Sequence, residues 1–440
     1  MPETRLFAVA GDPVLHSLSP EIFTRLFRTA GLNAAYIRLA AEDGREVIDA
    51  AKAMGLAGAN ITSPFKEGVL PYLEDTDVSG RAIGAVNGIV TRSGGFIGFN
   101  TDHLGVIGAL RARGVSPAGR KAVVLGAGGA ARAAAYALLR AGSVRVTLIN
   151  RTVERARAAA RRLGCDHCSM KDSGPLLREC DICVSCVPPG IGPPAPAALG
   201  NGCAFLAADY RRSAPPRRSP EGGPLMIDGR EWLLHQALPS FRLLTGREAP
   251  KSLRDRAAWN QLDRAPRPKP NVALVGFSGA GKTTVGRSLA KAMGYGFADT
   301  DALVEGRAGM SVAEIFQARG ETGFRELERD VIHDAIPSAV RTVFSIGAGG
   351  LGRADNRSVV ERHCLVVWIW ASLRASLGRV GPGSRPLLDH DARGARAKEM
   401  FSARMPVYAR ASDIAIVGEK KPVARIVKRI KNEIDQAFGD

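Results

Sequence analysis

Ala122-Val-Val-Leu125-Gly126-Ala-Gly128-Gly129-Ala130-Ala131 runs from a short apolar, β-branched stretch straight into closely spaced glycines, then into an alanine-rich helical pattern that reaches Leu139. A glycine-rich hexapeptide says little alone. Between a strand and a helix it describes a tight turn, a backbone that approaches its ligand closely, and a helix N-terminus whose free N–H groups face an anion. Gly126, Ala127, Gly128, Gly129 and Ala130 therefore read as the pyrophosphate turn of a dinucleotide-binding α/β unit. The next strand ends at Asn150-Arg151-Thr152. A carboxylate there would take a ribose 2′-hydroxyl and repel a 2′-phosphate. Asn150, Arg151 and Thr152 offer donors and positive charge instead, with Arg155 one helical turn further on, so NADP(H) is the expected cofactor.

A second stretch with the same grammar lies downstream. Residues 272–275 feed Gly276-Phe-Ser-Gly279-Ala280-Gly281-Lys282-Thr283-Thr284, which satisfies G-x4-G-K-[ST] in its strand–loop–helix setting. The loop N–H groups are expected to cradle phosphates, Lys282 to reach the β/γ oxygens of ATP, and Thr283 to hold Mg2+.

Outward from these loops, apolar β-type runs alternate with helical patterns. They fall at 6–10, 35–39, 59–62, 122–125, 144–149, 182–187, 203–209, 225–227, 272–275, 342–346, 365–370 and 414–417. That alternation predicts parallel α/β sheets. One exception is 89–91 and 96–99 around Ser93-Gly94-Gly95, which reads as a β-hairpin. The chain's 440 residues make about two to four domains. The clearest boundary is Arg264-Ala-Pro-Arg-Pro-Lys-Pro270, whose alternate prolines favour an extended spacer of about 20 Å.

Composition excludes other classes. With 45 % hydrophobic and 6 % aromatic residues the chain can build packed cores and is not disordered. Apolar runs such as 364–370 fall far short of the ~20 residues a membrane span needs. Residues 6–10 are too short for a signal-peptide core, so a cytoplasmic protein with no membrane partner is expected. The formal charge of +18 raises the question of nucleic acid. The basic runs 151–162 and 211–218 lack interleaved aromatics, which argues against it; anionic cofactors and carboxylate substrates suit the field better. Cys165-x2-Cys168 and Cys180-x2-Cys183-x2-Cys186 have ligand-like spacing. Residues three apart on a strand point to opposite faces, so they read as structural rather than as zinc ligands.

Polar residues cluster at the ends of the N-terminal strands. Ser17 and Ser19 bracket Leu18 before Pro20, where Ser19 also suits an N-cap. Asn60-Ile-Thr62-Ser-Pro-Phe-Lys66 ends a strand and starts a helix. Its first turn disfavours an ammonium, which suits Lys66 to acid–base work. Asp102, in Asn100-Thr-Asp102, follows the hairpin and is placed to orient that lysine. Singly, each of these residues is more often structural than catalytic.

Their order is informative. Gly11-Asp-Pro-Val-Leu-His-Ser17-Leu-Ser19-Pro, Asn60–Lys66, Gly84-Ala-Val-Asn87, Asn100–Asp102, Gly126–Ala131, Asn150–Thr152 and Gly229-x6-Gln236-Ala237 together resemble shikimate dehydrogenase over residues 5–262. The resemblance implies that Lys66 and Asp102 form the catalytic pair. It implies that Ser17, Ser19, Thr62, Asn87, Asp102 and Gln236 hold the substrate carboxylate and hydroxyls, with Tyr210 and Gly229 near the nicotinamide. Three positions depart from the family's habit: Gly88 stands where Thr is usual, Trp232 where Met is usual, and Ala207 where Asp is usual.

Downstream of the P-loop come Asp299-Thr-Asp301, Phe324-Arg325-Glu-Leu-Glu328, Gly347-Ala348-Gly349-Gly350 and Arg404-x-Pro406-x-Tyr408, with Arg379 and Arg385 in the segment 378–388. From the residues alone, Arg325 and Glu328 are equally an exposed helical pair. In this order, residues 271–418 resemble shikimate kinase. The resemblance implies Asp299 supporting Mg2+, Asp301 taking the shikimate hydroxyl, and Arg325 and Arg404 clamping its carboxylate. Gly347, Ala348 and Gly349 would line the substrate, with Phe316 and Phe324 beside it. Arg385, and Arg379 with it, would come from a lid over ATP. Ala348 departs from three consecutive glycines, which matters only if that position needs a positive φ.

The expected architecture is α/β throughout. Residues 1–101, completed by helices of 230–263, form a substrate-binding domain. Residues 102–229 form a Rossmann domain for NADP, 264–270 a linker, and 271–440 a P-loop kinase with a central parallel sheet, like nucleoside monophosphate kinases. The implied partners are small molecules, 3-dehydroshikimate and shikimate. The competing readings are a quinate-using dehydrogenase fused to another metabolite kinase, a nucleotide-sensing regulator with degenerate sites, and a nucleic-acid binder.

Overall fold

The computed structural model describes residues 3–187, 198–210, 223–254, 259, 268–379 and 393–439. The basic run 211–218, most of the proline-rich stretch 264–270, and Arg385 lie outside the described residues. Two compact units result, and they do not follow chain order. One comprises Met1–Pro20, Gly31–Leu56 and Asp263–Asp440; the other comprises Glu21–Ala30 and Ala57–Leu262.

In chain order the strands are β1 Arg5–Gly11, β2 Ala34–Ala40, β3 Leu56–Ile61, β4 Asp75–Thr76, β5 Gly88–Arg92, β6 Gly95–Phe99, β7 Lys121–Leu125, β8 Arg145–Asn150 and β9 Asp166–Ser169. They continue as β10 Ile182–Ser185, β11 Ala204–Ala207, β12 Leu225–Ile227, β13 Asn271–Val275, β14 Gly296–Asp299, β15 Thr342–Ser345, β16 Cys364–Trp370 and β17 Ile414–Val417.

In the second unit, a 6-stranded sheet runs β12-β11-β10-β7-β8-β9, with every pairing parallel. The central strands are apolar and buried on both sides, as parallel sheets require. The helices Gly129–Arg140 and Val153–Leu163 contribute Ala131, Ala134, Ala135, Leu138, Ala156 and Ala160 to the same core as Val124, Leu148 and Val184. Chain order reverses at β7, which lies between β8 and β10. That is the switch point where ligands bind open α/β sheets, and Gly126–Gly128 sits there. The same unit carries β3, β5, β6 and β4. The expected hairpin is present: β5 and β6 pair antiparallel, with Gly88 opposite Phe99. Its turn uses Ser93 (φ 46°) and Gly94 (φ 90°), the left-handed pair that tight hairpins need.

In the first unit the kinase strands are ordered β14-β15-β13-β16-β17, and β2 and β1 continue beyond β17. β13 lies between β15 and β16, so its carboxyl end is again a switch point, occupied by the P-loop. β16, Cys-Leu-Val-Val-Trp-Ile-Trp, is buried along its whole length. The join between the kinase strands and the chain's N-terminus is therefore not confined to the proline-rich stretch. β17 pairs parallel with β2 at Ala415–Leu39 and Ile416–Ala40. Among the described residues no helix is long and apolar enough to cross a membrane.

Candidate active sites

The first site is built on β5, β6 and two helix starts. Lys66 lies in a single-turn helix, Phe65–Gly68. Asp102 is the first residue of the helix Asp102–Arg111. Their side chains are paired, Lys66 Nζ donating to Asp102 Oδ2. The helix expected at Lys66 is a single turn, and the charged partner of its ammonium is the Asp102 carboxylate. Asn87 organises the rest. Its Nδ2 lies 2.9 Å from Asp102 Oδ1, 3.0 Å from Gln236 Oε1 and 3.0 Å from Thr101 Oγ1. Its Oδ1 accepts from the Thr101 N–H at 2.7 Å. Asn87, Asp102 and Gln236 are all buried, at 3, 6 and 7 % exposure. Sequence order thus assigned residues that the fold brings into one polar network. Thr62 follows the end of β3 and is half-buried, its carbonyl accepting from the Phe65 N–H. Ser17 and Ser19, both buried, belong to the other unit, where the Ser19 N–H donates to Ser17 Oγ at 3.3 Å. Tyr210 is half-buried.

Two departures from the resembled family have structural reasons. Trp232 Nε1 donates to the Asp102 carbonyl at 2.9 Å, so the indole steadies the turn that presents the carboxylate. Gly105 makes room for it: a Cβ there would lie 2.5 Å from the Trp232 ring. At Gly88 a Cβ would lie 2.2 Å from Phe99 Cζ, so the Phe99 ring fills the space a threonine would need. Nothing in the structure explains Ala207. Sequence reasoning missed three supports. Asn60 Nδ2 donates to the Asn87 carbonyl and to Ser240 Oγ, at 3.1 and 2.8 Å. The Asn100 side chain accepts from the Asp102 N–H at 3.0 Å. The buried Arg132 guanidinium donates to the Ile83, Gly84 and Ala127 carbonyls, tying the segment before Asn87 to the glycine-rich turn.

That turn suits a dinucleotide. Gly126 has φ 114°, and a Cβ would lie 3.2 Å from the Cys186 carbonyl; Gly128 faces open space. Gly128 is also the N-cap of Gly129–Arg140, with no side chain occupying its N–H groups. Ala127 is buried and Ala130 half-buried in that turn. Asn150 closes β8 with Arg151, Thr152 and Arg155 exposed beyond it, so the strand end itself carries an amide and a cation, and the first carboxylate is Glu154 on the following helix. Gly229 opens its helix where a Cβ would meet the Ala207 carbonyl at 2.6 Å. Burial pushes the Cys186 thiol far up, and Cys180 and Cys203 sulfurs lie 3.8 Å apart. Among the described residues no group of His, Cys, Asp and Glu is arranged to hold a metal.

The second site surrounds the P-loop. Gly276, Gly279 and Gly281 take φ of 146°, 80° and 96°, which side chains rarely allow. Ala280 packs beneath, and Thr284 is exposed on the helix start. Lys282 is buried, its Nζ 2.9 Å from the Gly276 carbonyl and 3.2 Å from that of Phe277. Thr283 Oγ1 donates to Asp299 Oδ2 at 2.7 Å, so the two expected Mg2+ residues adjoin. Asp299 also caps the next helix, accepting from the Asp301 N–H at 3.1 Å. Arg379 Nη1 reaches the Gly279 carbonyl at 3.4 Å.

Across from the loop, Arg325 donates to Glu328 Oε2 at 2.7 Å and to Glu321 at 3.2 Å. The pair is not an exposed helical pair: Glu328 is 1 % exposed. Burial pushes the Glu328 carboxyl up, while Arg325 pulls it down. Burial likewise pushes the Arg404 guanidinium down, and Arg404 stacks 5.6 Å over the Phe277 ring. Phe316 and Phe324 pack at 4.9 Å. The backbone at 347–350 threads through these groups. A Cβ at Gly347 would lie 2.6 Å from both Asp301 Oδ1 and Glu328 Oε1, and one at Gly349 would lie 2.3 Å from Arg325. Ala348 is not among the residues at positive φ. Its carbonyl accepts from the Tyr408 hydroxyl at 2.5 Å, so the departure from three glycines is neutral to the backbone.

The two folds and sites define a dinucleotide-dependent oxidoreductase joined to a P-loop phosphotransferase. Known proteins name both parts. The family described as Shikimate dehydrogenase substrate binding domain matches residues 9–89, Shikimate / quinate 5-dehydrogenase matches 110–189, and Shikimate kinase matches 278–435. The shikimate dehydrogenase (NADP(+)) of Symbiobacterium thermophilum is 34 % identical over 282 residues, covering 60 % of this chain and 96 % of the relative. That of Moorella thermoacetica is 35 % identical, covering 58 % and 92 %. The solved Thermus thermophilus shikimate 5-dehydrogenase in complex with NADP(H) and shikimate is 32 % identical, with a TM-score of 0.52 over 58 % of this chain and 98 % of its own. The chain belongs to the shikimate dehydrogenase family and continues into a shikimate kinase domain, as a dehydrogenase–kinase fusion.

Proposed function

We propose that the chain catalyses two consecutive steps: NADPH-dependent reduction of 3-dehydroshikimate to shikimate by residues 1–262, then ATP-dependent phosphorylation of shikimate by residues 271–440. The observation that carries the first step is the Lys66–Asp102 pair held by Asn87 and Gln236. NADPH, when bound at Gly126–Ala130, Asn150, Arg151, Thr152, Arg155 and Gly229, supplies the hydride for the C3 carbonyl. Lys66 delivers the proton to the carbonyl oxygen, and Asp102 orients that ammonium and takes a substrate hydroxyl. Asn87 and Gln236 complete the hydroxyl contacts, with Thr62 and Tyr210. Ser17 and Ser19 are assigned to the carboxylate by their motif.

For the second step, ATP held by Gly279–Thr284 supplies the phosphoryl group. Lys282 neutralises developing charge on its oxygens, Thr283 and Asp299 are assigned to Mg2+, and Arg379 and Arg385 to the closing side. Asp301 takes the proton from the attacking hydroxyl. Arg325 and Arg404 hold the carboxylate, with the Gly347–Gly349 backbone beneath. Lys66→Ala should abolish 3-dehydroshikimate-dependent NADPH oxidation and spare phosphorylation, and Lys282→Ala should do the reverse. Near-wild-type reductase activity in Lys66→Ala, or quinate outpacing shikimate in the oxidation direction, overturns the assignment.

A further inference from the structure

The segment that carries Ser17 and Ser19 is fixed in place by the kinase end of the chain. The helix Val423–Phe438 presents Ile426, Val427 and Ile430 to the core, and on the same buried face it places a carboxylate, Glu433, at 1 % exposure. Glu433 Oε2 accepts two consecutive main-chain N–H groups, Val14 at 2.8 Å and Leu15 at 2.9 Å. Glu433 Oε1 is buried without a hydrogen-bond partner. An ionisable group has thus been placed where an apolar one would pack, and it spends one oxygen on this single turn. Val14 and Leu15 are fully buried, so their N–H groups are shielded from bulk water and Glu433 is the acceptor they use. The turn closes with the Ser17 N–H donating to the Val14 carbonyl at 3.0 Å.

The Ser17 end of the turn is held by a β2 side chain that also reaches the kinase region. Arg38, on β2 and 4 % exposed, donates Nε and Nη2 to the Ser17 carbonyl at 3.0 and 2.7 Å. Its Nη1 reaches the Asp413 carbonyl at 3.3 Å, and the Asp413 carboxylate accepts the Val366 N–H of β16 at 2.8 Å. Arg429, one turn before Glu433, donates to the Ala41 carbonyl and pairs with Asp12 at 3.5 Å. None of Glu433, Arg429 or Asp413 has a part in the phosphoryl-transfer site described above.

We infer that Glu433 is a positioning residue for the dehydrogenase: the last helix of the kinase region sets the conformation of residues 12–19, so that 3-dehydroshikimate affinity depends on a side chain some four hundred positions away in the chain. This rests on the reading of Ser17 and Ser19 as substrate-binding residues. Uniform binding lost without loss of chemistry raises KM and leaves kcat alone. Glutamine keeps a carbonyl oxygen for both N–H groups; alanine keeps none, and aspartate falls short of them.

The test is steady-state kinetics of both reactions in the full chain, with thermal unfolding as a fold check. Glu433→Ala should raise KM for 3-dehydroshikimate by about tenfold or more, with its kcat and both kinase KM values within about twofold of wild type. Glu433→Gln should restore the low KM. If Glu433→Ala does not fold, Glu433→Asp decides, with the same KM rise expected. The inference is overturned if KM is unmoved in the folded Ala or Asp variant, if Gln is as damaging as Ala, or if kcat falls in parallel in both reactions. Ser17→Ala, measured alongside, separates the two readings. An unmoved KM there removes Ser17 from the substrate site, whereas a raised KM there with normal Glu433 variants removes only the positioning role.

Discussion

Replacing Gly88 tests whether the hairpin beneath Asn87 is packed as described. Gly88 and Phe99 are directly opposed in the antiparallel pair, and the ring folds over the glycine. A Cβ on residue 88 would lie 2.2, 2.3 and 2.9 Å from three ring carbons, whereas ordinary contact begins at 3.4 Å. Phe99 is 3 % exposed, so the ring must shift by about an ångström into a filled core. Overpacking of that kind costs about 1–3 kcal/mol, or a melting point lowered by about 2–12 °C for a unit of this size. Function should fall too, because the Asn87 N–H donates to the Phe99 carbonyl at 3.0 Å and Asn87 aims the side chain that links Asp102 to Gln236. Displacing such a group by about an ångström can cost as much as about a hundredfold in rate. The assay is thermal unfolding with 3-dehydroshikimate kinetics for Gly88→Ala, Gly88→Thr, Phe99→Ala and the Gly88→Ala/Phe99→Ala pair. The double variant should be less destabilised than the sum of its singles by about 1–3 kcal/mol. A Gly88→Ala chain with wild-type melting and kcat/KM, or strictly additive singles, refutes the packing argument.

Other consequences follow from the same geometry. Gly349→Ala, which sets a methyl against the Arg325 guanidinium, should raise KM for shikimate in the kinase reaction and leave KM for ATP unchanged; the two titrations check it. Trp232→Phe removes the indole donor to the Asp102 carbonyl and should cost about 1 kcal/mol of stability, with a lower reductase kcat, read by denaturant unfolding and initial rates. Burial, against the Val14 and Leu15 N–H groups and Arg429 and aided by Asp12, pushes the Glu433 carboxyl up to about 6. A raised carboxyl contributes stability below its unfolded range of about 4.3 that is lost as pH rises through about 6. Relative to Glu433→Gln, wild type should therefore lose about 2 kcal/mol between acid and neutral pH; parallel unfolding curves of the two across that window would contradict it.

The sequence was most legible where function is local. Both nucleotide turns lie between a strand and a helix, and their glycines take the backbone conformations their motifs require. The Lys66–Asp102–Asn87–Gln236 network was legible through motif order, since nothing near Gln236 announces that it meets Asn87. The supporting residues were not legible, because each depends on a tertiary neighbour. Trp232 looks like a departure until its N–H is found on the Asp102 carbonyl. Gly88 looks like a loss until Phe99 is set opposite it, a pairing that the predicted hairpin register could have suggested. The very short β4 and the polar β9 lack the apolar runs that mark strands. The pairing of β17 with β2 joins edges from opposite ends of the chain, and no local pattern encodes which edge a strand will meet.

The central claim is that one chain performs both steps in sequence. Its most direct measurement is a single reaction of the purified full-length protein with 3-dehydroshikimate, NADPH, ATP and Mg2+, its products resolved by mass. The account predicts shikimate 3-phosphate when both cofactors are present, shikimate alone when ATP is withheld, and unchanged 3-dehydroshikimate when NADPH is withheld. Shikimate accumulating unphosphorylated with ATP and Mg2+ present, or phosphorylation of 3-dehydroshikimate without NADPH, would contradict it.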